Sequence, residues 1–266
     1  MASRAEQKAA ARAAREARLK AASKNQARNT RLIRLASLVG GVAIVIVVIV
    51  LAVGGGSGTT TYTNKQAQAI VNPLLHGIPQ NGNTLGNPHA KITLTEFGDL
   101  VCPVCREFAL AGEHDTIAKE VREGKVKIVY RADETASGAF NHSEFVPGQV
   151  GALAAGLQHK EWNYILLWYY EQKDESTPYV TNHWIQNIAL QIPGLNLTKW
   201  QADRNSTALA AQVKSDEQAM AAMVAAKEIP SNATPTLVFT GSKGTAQPVQ
   251  APLTYSQLNT GYGIVS

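Results

Sequence analysis

Apolar residues fall along this chain in three regimes: one unbroken run, a few short alternating runs, and a long block with helical spacing. The unbroken run is residues 35–53, nineteen positions without a charge. As a helix rising 1.5 Å per residue, about 20 such residues cross a ~30 Å hydrocarbon core. Its many β-branched residues form helix poorly in water. Inside lipid, however, each backbone N–H and C=O must be paired within the segment, and that selects helix. A cleaved leader would have a short basic lead, an apolar core of about 7–15 residues and a small-residue cleavage site. Here the lead is 34 residues long and the exit is Gly54-Gly55-Gly56-Ser57-Gly58. The run is therefore expected to be a single uncleaved transmembrane helix.

The alternating runs read as strands. Residues 91–97 (KITLTEF) switch between apolar and polar with period two; residues 126–131 (VKIVYR) read as a second strand, and strand character returns at 236–240 (TLVFT). Between the first two, residues 103–123 predict a helix with Val104, Phe108, Ala111, Ala118 and Val121 on one face and Gly124 ending it. Residues 148–228 are dominated by helical spacing, with segments at 150–172, 179–191, 197–204 and 207–228. After this last run come a turn at 241–244, a short strand at 248–251 and a terminal helix at 253–259. Residues 62–90 hold Pro73, Pro79, Asn81-Gly82-Asn83 and Asn87-Pro88 and read as an irregular lead-in with a short helix at 65–71. The organisation expected is a tail (1–34), a transmembrane helix (35–53), a linker and lead-in (54–90), and an α/β domain (91–266) with a helical insertion at about 148–228.

Charge fixes an orientation for this plan. Ten of the chain's 25 Lys/Arg and only two of its 20 Asp/Glu lie in residues 1–34, so the tail carries +8 and the rest of the chain −3. Basic flanks stay cytoplasmic, which places the tail inside and the domain outside the membrane. The tail is a topogenic segment, with adhesion to anionic headgroups a sharper alternative. A mildly acidic domain also removes the usual argument for nucleic-acid binding, which needs a basic patch on the folded part.

Of 266 residues two are cysteine, and they are three apart: Cys102-Pro103-Val104-Cys105. A bridge between them closes too small a loop to add much stability, so it would form for chemistry. Cys102 falls just after a strand, at the N-cap of a helix, where unpaired N–H groups and the helix dipole favour a thiolate. Such settings lower a cysteine pKa from about 8.5 to as little as ~3.5. Pro103 suits the first helical position, where no N–H is needed. Cys102 is thus the attacking sulfur, and Cys105, one turn in, resolves the mixed disulfide. Zinc would need about four ligands, and neither a second cysteine pair nor a tight histidine pair is present. No metal or cofactor is expected. Two inert cysteines remain the plain alternative.

The stretch Thr95-Glu96-Phe97-Gly98-Asp99-Leu100-Val101-Cys102-Pro103-Val104-Cys105-Arg106-Glu107-Phe108 resembles the active-site strand and helix of DsbA-like proteins in the thioredoxin superfamily. Ile229-Pro230-Ser231-Asn232-Ala233-Thr234-Pro235-Thr236-Leu237-Val238-Phe239 is similar to that family's cis-proline loop and the strand after it. The resemblance covers residues 90–265 and implies a thioredoxin-like fold with a helical insertion. It makes Pro235 the cis-proline, with Thr234 and Pro235 facing the cysteines and the Thr234 backbone available to pair with a bound peptide strand. Pro230 is the weaker alternative, because no strand follows it directly. Glu96 stands where the superfamily places a buried acid. Period two independently puts it on the face of Ile92 and Leu94, where its pKa would rise and it could relay a proton for Cys105; a solvent-facing glutamate is the alternative.

The function implied is extracytoplasmic thiol–disulfide exchange, introducing or isomerising disulfides in exported proteins. Its implied partners are those cysteine-bearing proteins and a membrane reoxidant of DsbB or vitamin-K-epoxide-reductase type. Val104 departs from the histidine often found there in strongly oxidising members, and it offers no charge to the Cys102 thiolate. A reductase of exported thiols, as in cytochrome maturation, and a non-catalytic binding or chaperone module therefore stay open. Trp162, Tyr164, Trp168, Tyr169 and Tyr170 form an aromatic cluster better read as core of the insertion than as a binding surface.

Overall fold

The computed structural model describes residues 62–139, 143–174, 176–250 and 253–265. The expected tail and transmembrane helix lie outside them. Among the described residues no helix is long and apolar enough to cross a membrane.

The first two strands read from the sequence occupy the middle of the sheet. β3 (Ile92–Gly98) and β4 (Val126–Ala132) run parallel, in register from Ile92↔Val126 to Gly98↔Ala132. A parallel pair requires a crossover, and the helix that begins at Pro103 supplies it. β5 (Thr236–Gly241) lies antiparallel on the other side of β3, with Glu96 opposite Leu237 and Phe97 opposite Thr236. Two short strands, β6 (Gly244–Thr245) and β7 (Val249–Gln250), pair with β5. Burial alternates along β4, with Val126, Ile128, Tyr130 and Ala132 inside, as period two predicts. On β3 the same alternation turns Ile92, Leu94 and Glu96 inward.

Residues 64–90 are less irregular than their turn residues imply. α1 (Asn64–Leu75) is closed at its start by a capping box in which Thr63 and Gln66 bond each other's backbone N–H. β1 (Gln80–Asn81) and β2 (Thr84–Leu85) then form a hairpin that extends the sheet beyond β4, giving the order β1-β2-β4-β3-β5-β6. Strands of two residues are too short to show alternation.

The crossover helix, α2, is not a uniform α-helix. It starts as Pro103–Phe108, passes through a π-helical stretch Ala109–Glu113 and a short α turn His114–Thr116, and ends in a second π-helical stretch, Ile117–Val121. Thr116 Oγ donates to the Gly112 carbonyl at 2.6 Å, a back-bond that competes with the helical N–H and widens the turn. The inward column is Cys105, Ala109, Glu113, Ile117 and Val121, each four apart. Of the face expected from α periodicity, Phe108 and Val121 are buried, Val104 and Ala118 half-buried, and Ala111 exposed. The physical reason is the wider π turn, which holds a four-residue repeat in line.

The insertion between β4 and β5 comprises α3 (Ala136–Ala139), α4 (Phe145–Gly156), α5 (Glu161–Glu171), α6 (Asn182–Leu190), α7 (Leu197–Asp203) and α8 (Thr207–Ala225). The single helix expected over 150–172 is two, broken after Gly156 and turned at His159, whose φ is +57°. All of α5 is buried, as a helix enclosed on every side must be. Its aromatic residues are core: Trp162, Tyr164, Trp168 and Tyr169 are at most 1% exposed. Gly151 lets α4 approach them, since a Cβ there would lie 2.7 Å from the Tyr164 hydroxyl. Arg131 on β4 pairs with the buried Asp216 on α8 at 2.8 Å, tying the insertion to the sheet. α9 (Tyr255–Val265) closes the described chain.

Candidate active site

β3 ends at Gly98, and the three residues after it form a tight, buried loop. The Asp99 side chain organises that loop by accepting four hydrogen bonds: from the N–H of Val101, Thr135 and Ser137, and from the Ser137 hydroxyl, at 2.7–3.0 Å. Gln172, from the end of α5, donates to the carbonyls of Leu100 at 2.7 Å and Cys102 at 3.2 Å. The loop is thereby pinned from two sides before the helix begins.

Cys102 is the N-cap residue of α2, with extended φ/ψ of −66° and 122°, and Pro103 follows at the first helical position. Its Sγ accepts the Cys105 N–H at 3.4 Å, one of the donors a helix start leaves unpaired. The Cys102 pKa is lowered to about 7, first by a hydrogen bond from the Cys105 thiol and then by the Thr234 side chain and the Cys105 N–H. Burial and the negative Asp99 oppose this. The bond from the neighbouring thiol thus lowers the Cys102 pKa more than the bond from the Cys105 N–H does. Cys105 is wholly buried, and burial followed by its bond to Cys102 raises its pKa well above the ordinary thiol range. Near neutrality Cys102 is therefore partly ionised, while Cys105 is pushed towards its protonated form. Pro103 is exposed and Val104 half-buried, so the dipeptide lies outward of the sulfurs.

The loop before β5 completes the front of the site. The Thr234–Pro235 peptide is cis. As a thiol, Cys102 Sγ donates to the Thr234 carbonyl at 3.5 Å. The Thr234 and Thr135 hydroxyls share a hydrogen bond of 2.5 Å, which joins this loop to the Asp99 clasp. Pro230 is exposed, five residues before Pro235.

Behind Cys105 lies Glu96, wholly buried on β3, with neither carboxyl oxygen hydrogen-bonded. Burial raises its pKa well above the carboxylate range, helped by Glu113 and then by Cys102. Glu113 of α2 is equally buried, its oxygens likewise without partners, and burial pushes its pKa up to about 7. Tyr169 from α5 and Tyr130 from β4 meet beside this pair, their hydroxyls 3.4 Å apart. Among the described residues no group of three or more His, Cys, Asp or Glu could hold a metal ion.

All seven residues singled out from the sequence thus gather around one centre: Cys102, Cys105, Thr234 and Pro235 in front, Pro103 and Val104 at the rim, and Glu96 behind. Sequence reasoning missed Asp99, Thr135, Gln172 and Glu113. Asp99 had a signal, since an Asx residue just after a strand commonly captures backbone N–H groups. Thr135, Gln172 and Glu113 had none, because their partners come from distant segments or from the π register.

The family model described as Thioredoxin, Thioredoxin_4, matches residues 80–259. A comparison with curated protein sequences finds no match. Among solved structures, BdbD from Bacillus subtilis in its oxidised form is similar at TM-score 0.55 and 16% identity, covering 70% of this chain and 96% of that one. DsbA from Chlamydia trachomatis matches at TM-score 0.54 and 18% identity, covering 68% and 90%. MdbA, a thiol-disulfide oxidoreductase from Corynebacterium diphtheriae, matches at 0.51 and 17%, covering 61% and 85%. At these identities the neighbours speak for the fold, a thioredoxin-like α/β domain with a helical insertion. The family match spans well over half of the sequence, and the chain belongs to the thioredoxin family.

Proposed function

We propose that this chain is a thiol–disulfide oxidoreductase that exchanges disulfides with exported proteins, anchored by residues 35–53 with its domain outside the cytoplasm. The observation that carries the reading is geometric: Cys102 caps the start of α2 against the cis Thr234–Pro235 loop, with Cys105 wholly buried one turn behind it. In the oxidised form a substrate thiolate attacks Cys102 Sγ. The Cys102–Cys105 bond breaks, a mixed disulfide forms, and Cys105 leaves with the bonding pair and takes up a proton. A second substrate thiolate then attacks the substrate sulfur of the mixed disulfide, and Cys102 leaves as a thiolate. Two electrons pass from substrate to enzyme. A low leaving-thiol pKa speeds this last departure. The Thr234 carbonyl beside Cys102 supports a substrate strand lying along the Thr234–Pro235 loop. Return of the electrons requires an oxidant, which we assign to a membrane reoxidant of DsbB or vitamin-K-epoxide-reductase type.

A modestly lowered Cys102 thiol beside an apolar dipeptide favours a milder oxidant or a reductase. Cysteines of this kind range from ~3.5 in the strongest oxidants to ~7 in thioredoxin, and Cys102 at about 7 lies at the thioredoxin end. Val104 adds no positive charge to move it. A reductase that keeps exported thiols reduced uses the same steps in reverse.

Oxidation of a dithiol peptide by the full-length protein tests the reading. Cys102→Ser should reduce it to background, and unchanged oxidation would exclude redox function. Cys105→Ala should accumulate mixed disulfides with exported proteins. Membrane fractionation with and without residues 35–53 tests the anchor, which fails if both forms are soluble.

A further inference from the structure

Glu113 is unaccounted for by exchange at the sulfurs, yet its placement is specific. In an α-helix of 3.6 residues per turn, eight residues overshoot two full turns by about 80°. Glu113 is eight residues after Cys105, so a regular helix would swing it away from that face. The π-helical stretch Ala109–Glu113 has wider turns and takes up the overshoot. Gly112 makes the position possible from the other side, because a Cβ there would collide with the Leu253 carbonyl. The result is a second carboxyl against Glu96, both wholly buried, with none of their four oxygens receiving a hydrogen bond from a residue outside the pair.

Native structures rarely bury a polar atom without a partner. Four such oxygens on two facing carboxyls are accounted for when the pair holds a proton of its own. We propose that Glu96 and Glu113 form a proton-sharing dyad behind Cys105, in which Glu113 is a positioning residue that sets the proton affinity of Glu96. The proposal rests on the redox reading above and adds Glu113 to the Glu96 relay expected from the sequence.

When Cys105 attacks a mixed disulfide at Cys102, its Sγ–H proton passes to the Glu96 carboxylate. The Cys105–Cys102 bond forms, the Cys102–substrate bond breaks, and the substrate sulfur leaves with the electron pair. The dyad goes from one proton to two. When a substrate thiolate opens the Cys102–Cys105 bond, Cys105 leaves as a thiolate and the dyad returns a proton, going from two to one. Two like charges in a buried site cannot both ionise readily, and the two steps belong to the pair rather than to either residue. Both carboxyls are held above the ordinary range by burial first, consistent with a pair that is protonated near neutrality. The groups facing the dyad are Cys102 and Cys105 from α2 and its cap, Tyr130 from β4, and Tyr169 and Tyr170 from α5.

The test uses the reduced full-length protein and an aromatic disulfide probe that releases a coloured thiolate. Attack by Cys102 releases the first equivalent, and attack by Cys105 on the mixed disulfide releases the second. In the Glu113→Gln variant, removal of the neighbouring carboxyl should shift the pH midpoint of the second release down by about one pH unit, leaving the first near its wild-type midpoint. An unchanged second midpoint, with both releases intact, overturns the dyad and leaves the redox reading standing. Exchange that persists in Cys102→Ser instead overturns the redox reading. Should Glu113→Gln fail to fold, the wild-type oxidised-minus-reduced infrared spectrum decides. A carboxylic-acid band that changes with redox state supports the dyad, and a flat carboxylic-acid region overturns it.

Discussion

Asp99 and Glu96 stand three residues apart on one segment, both wholly buried, and the fold treats them in opposite ways. Asp99 is saturated, with four donors converging on it from its own loop and from residues 135 and 137. Glu96 has no donor at all and faces a second carboxyl, Glu113, that has none either. A saturated carboxylate is held rigidly by its donors, which suits a clasp. An unsatisfied pair exchanges protons, which suits a reservoir behind a thiol that must gain and lose one. The same residue chemistry is divided by hydrogen bonding into structure in front of the cysteines and titration behind them.

The comparison breaks most visibly at Asp99. Asp99→Ala removes all four bonds and leaves buried N–H groups unpaired, and it should destabilise the domain by about 4 kcal/mol, read from denaturant melts. Asp99→Asn keeps the shape and deletes the charge that opposes the Cys102 thiolate. It should lower the Cys102 pKa below its wild-type value, and a rise would show that the clasp supports the thiolate rather than restraining it.

Behind the cysteines the expected signature is a pH dependence. Glu113 binds its proton more tightly folded, near 7, than unfolded, near ~4.3. Its contribution to stability is therefore fully present below about pH 4 and is lost as pH rises through 7, a fall of roughly 4 kcal/mol in all. Stability curves of Glu113→Gln should lack that fall. If the variant keeps the wild-type slope between these limits, Glu113 does not titrate there. The smallest effect is expected at the join between clasp and proline loop. Thr135→Val removes the partner of the Thr234 hydroxyl and should cost about 1 kcal/mol. With Thr234 less constrained, the Cys102 pKa should shift by a fraction of a unit.

Much of this site was legible in the sequence, for identifiable reasons. Strand alternation places Glu96 on the inner face with Ile92 and Leu94, and the sheet agrees. Capping chemistry places Cys102 outside and Cys105 inside the first turn. These are local rules acting over a few residues. What escaped is non-local or shorter than the rules can read. The hairpin of β1 and β2 has two-residue strands, and Gln172 reaches the active loop from 70 residues away. Helix α2 shows the limit most clearly. Reading its face at α periodicity brings in Ala111, which is exposed, and passes over Glu113, which a π turn rotates inward.

The claim on which the account depends is that Cys102, and not Cys105, is the ionised sulfur near neutrality. Ultraviolet thiolate absorbance of the reduced protein against pH, with Cys105→Ser and Cys102→Ser as references, measures it directly. The account predicts a wild-type midpoint at about 7 that disappears in Cys102→Ser. In Cys105→Ser the hydroxyl replaces the thiol as donor and the midpoint should remain below the ordinary thiol range. A midpoint for Cys102 at or above about 8.5, the value of a free cysteine, would contradict it.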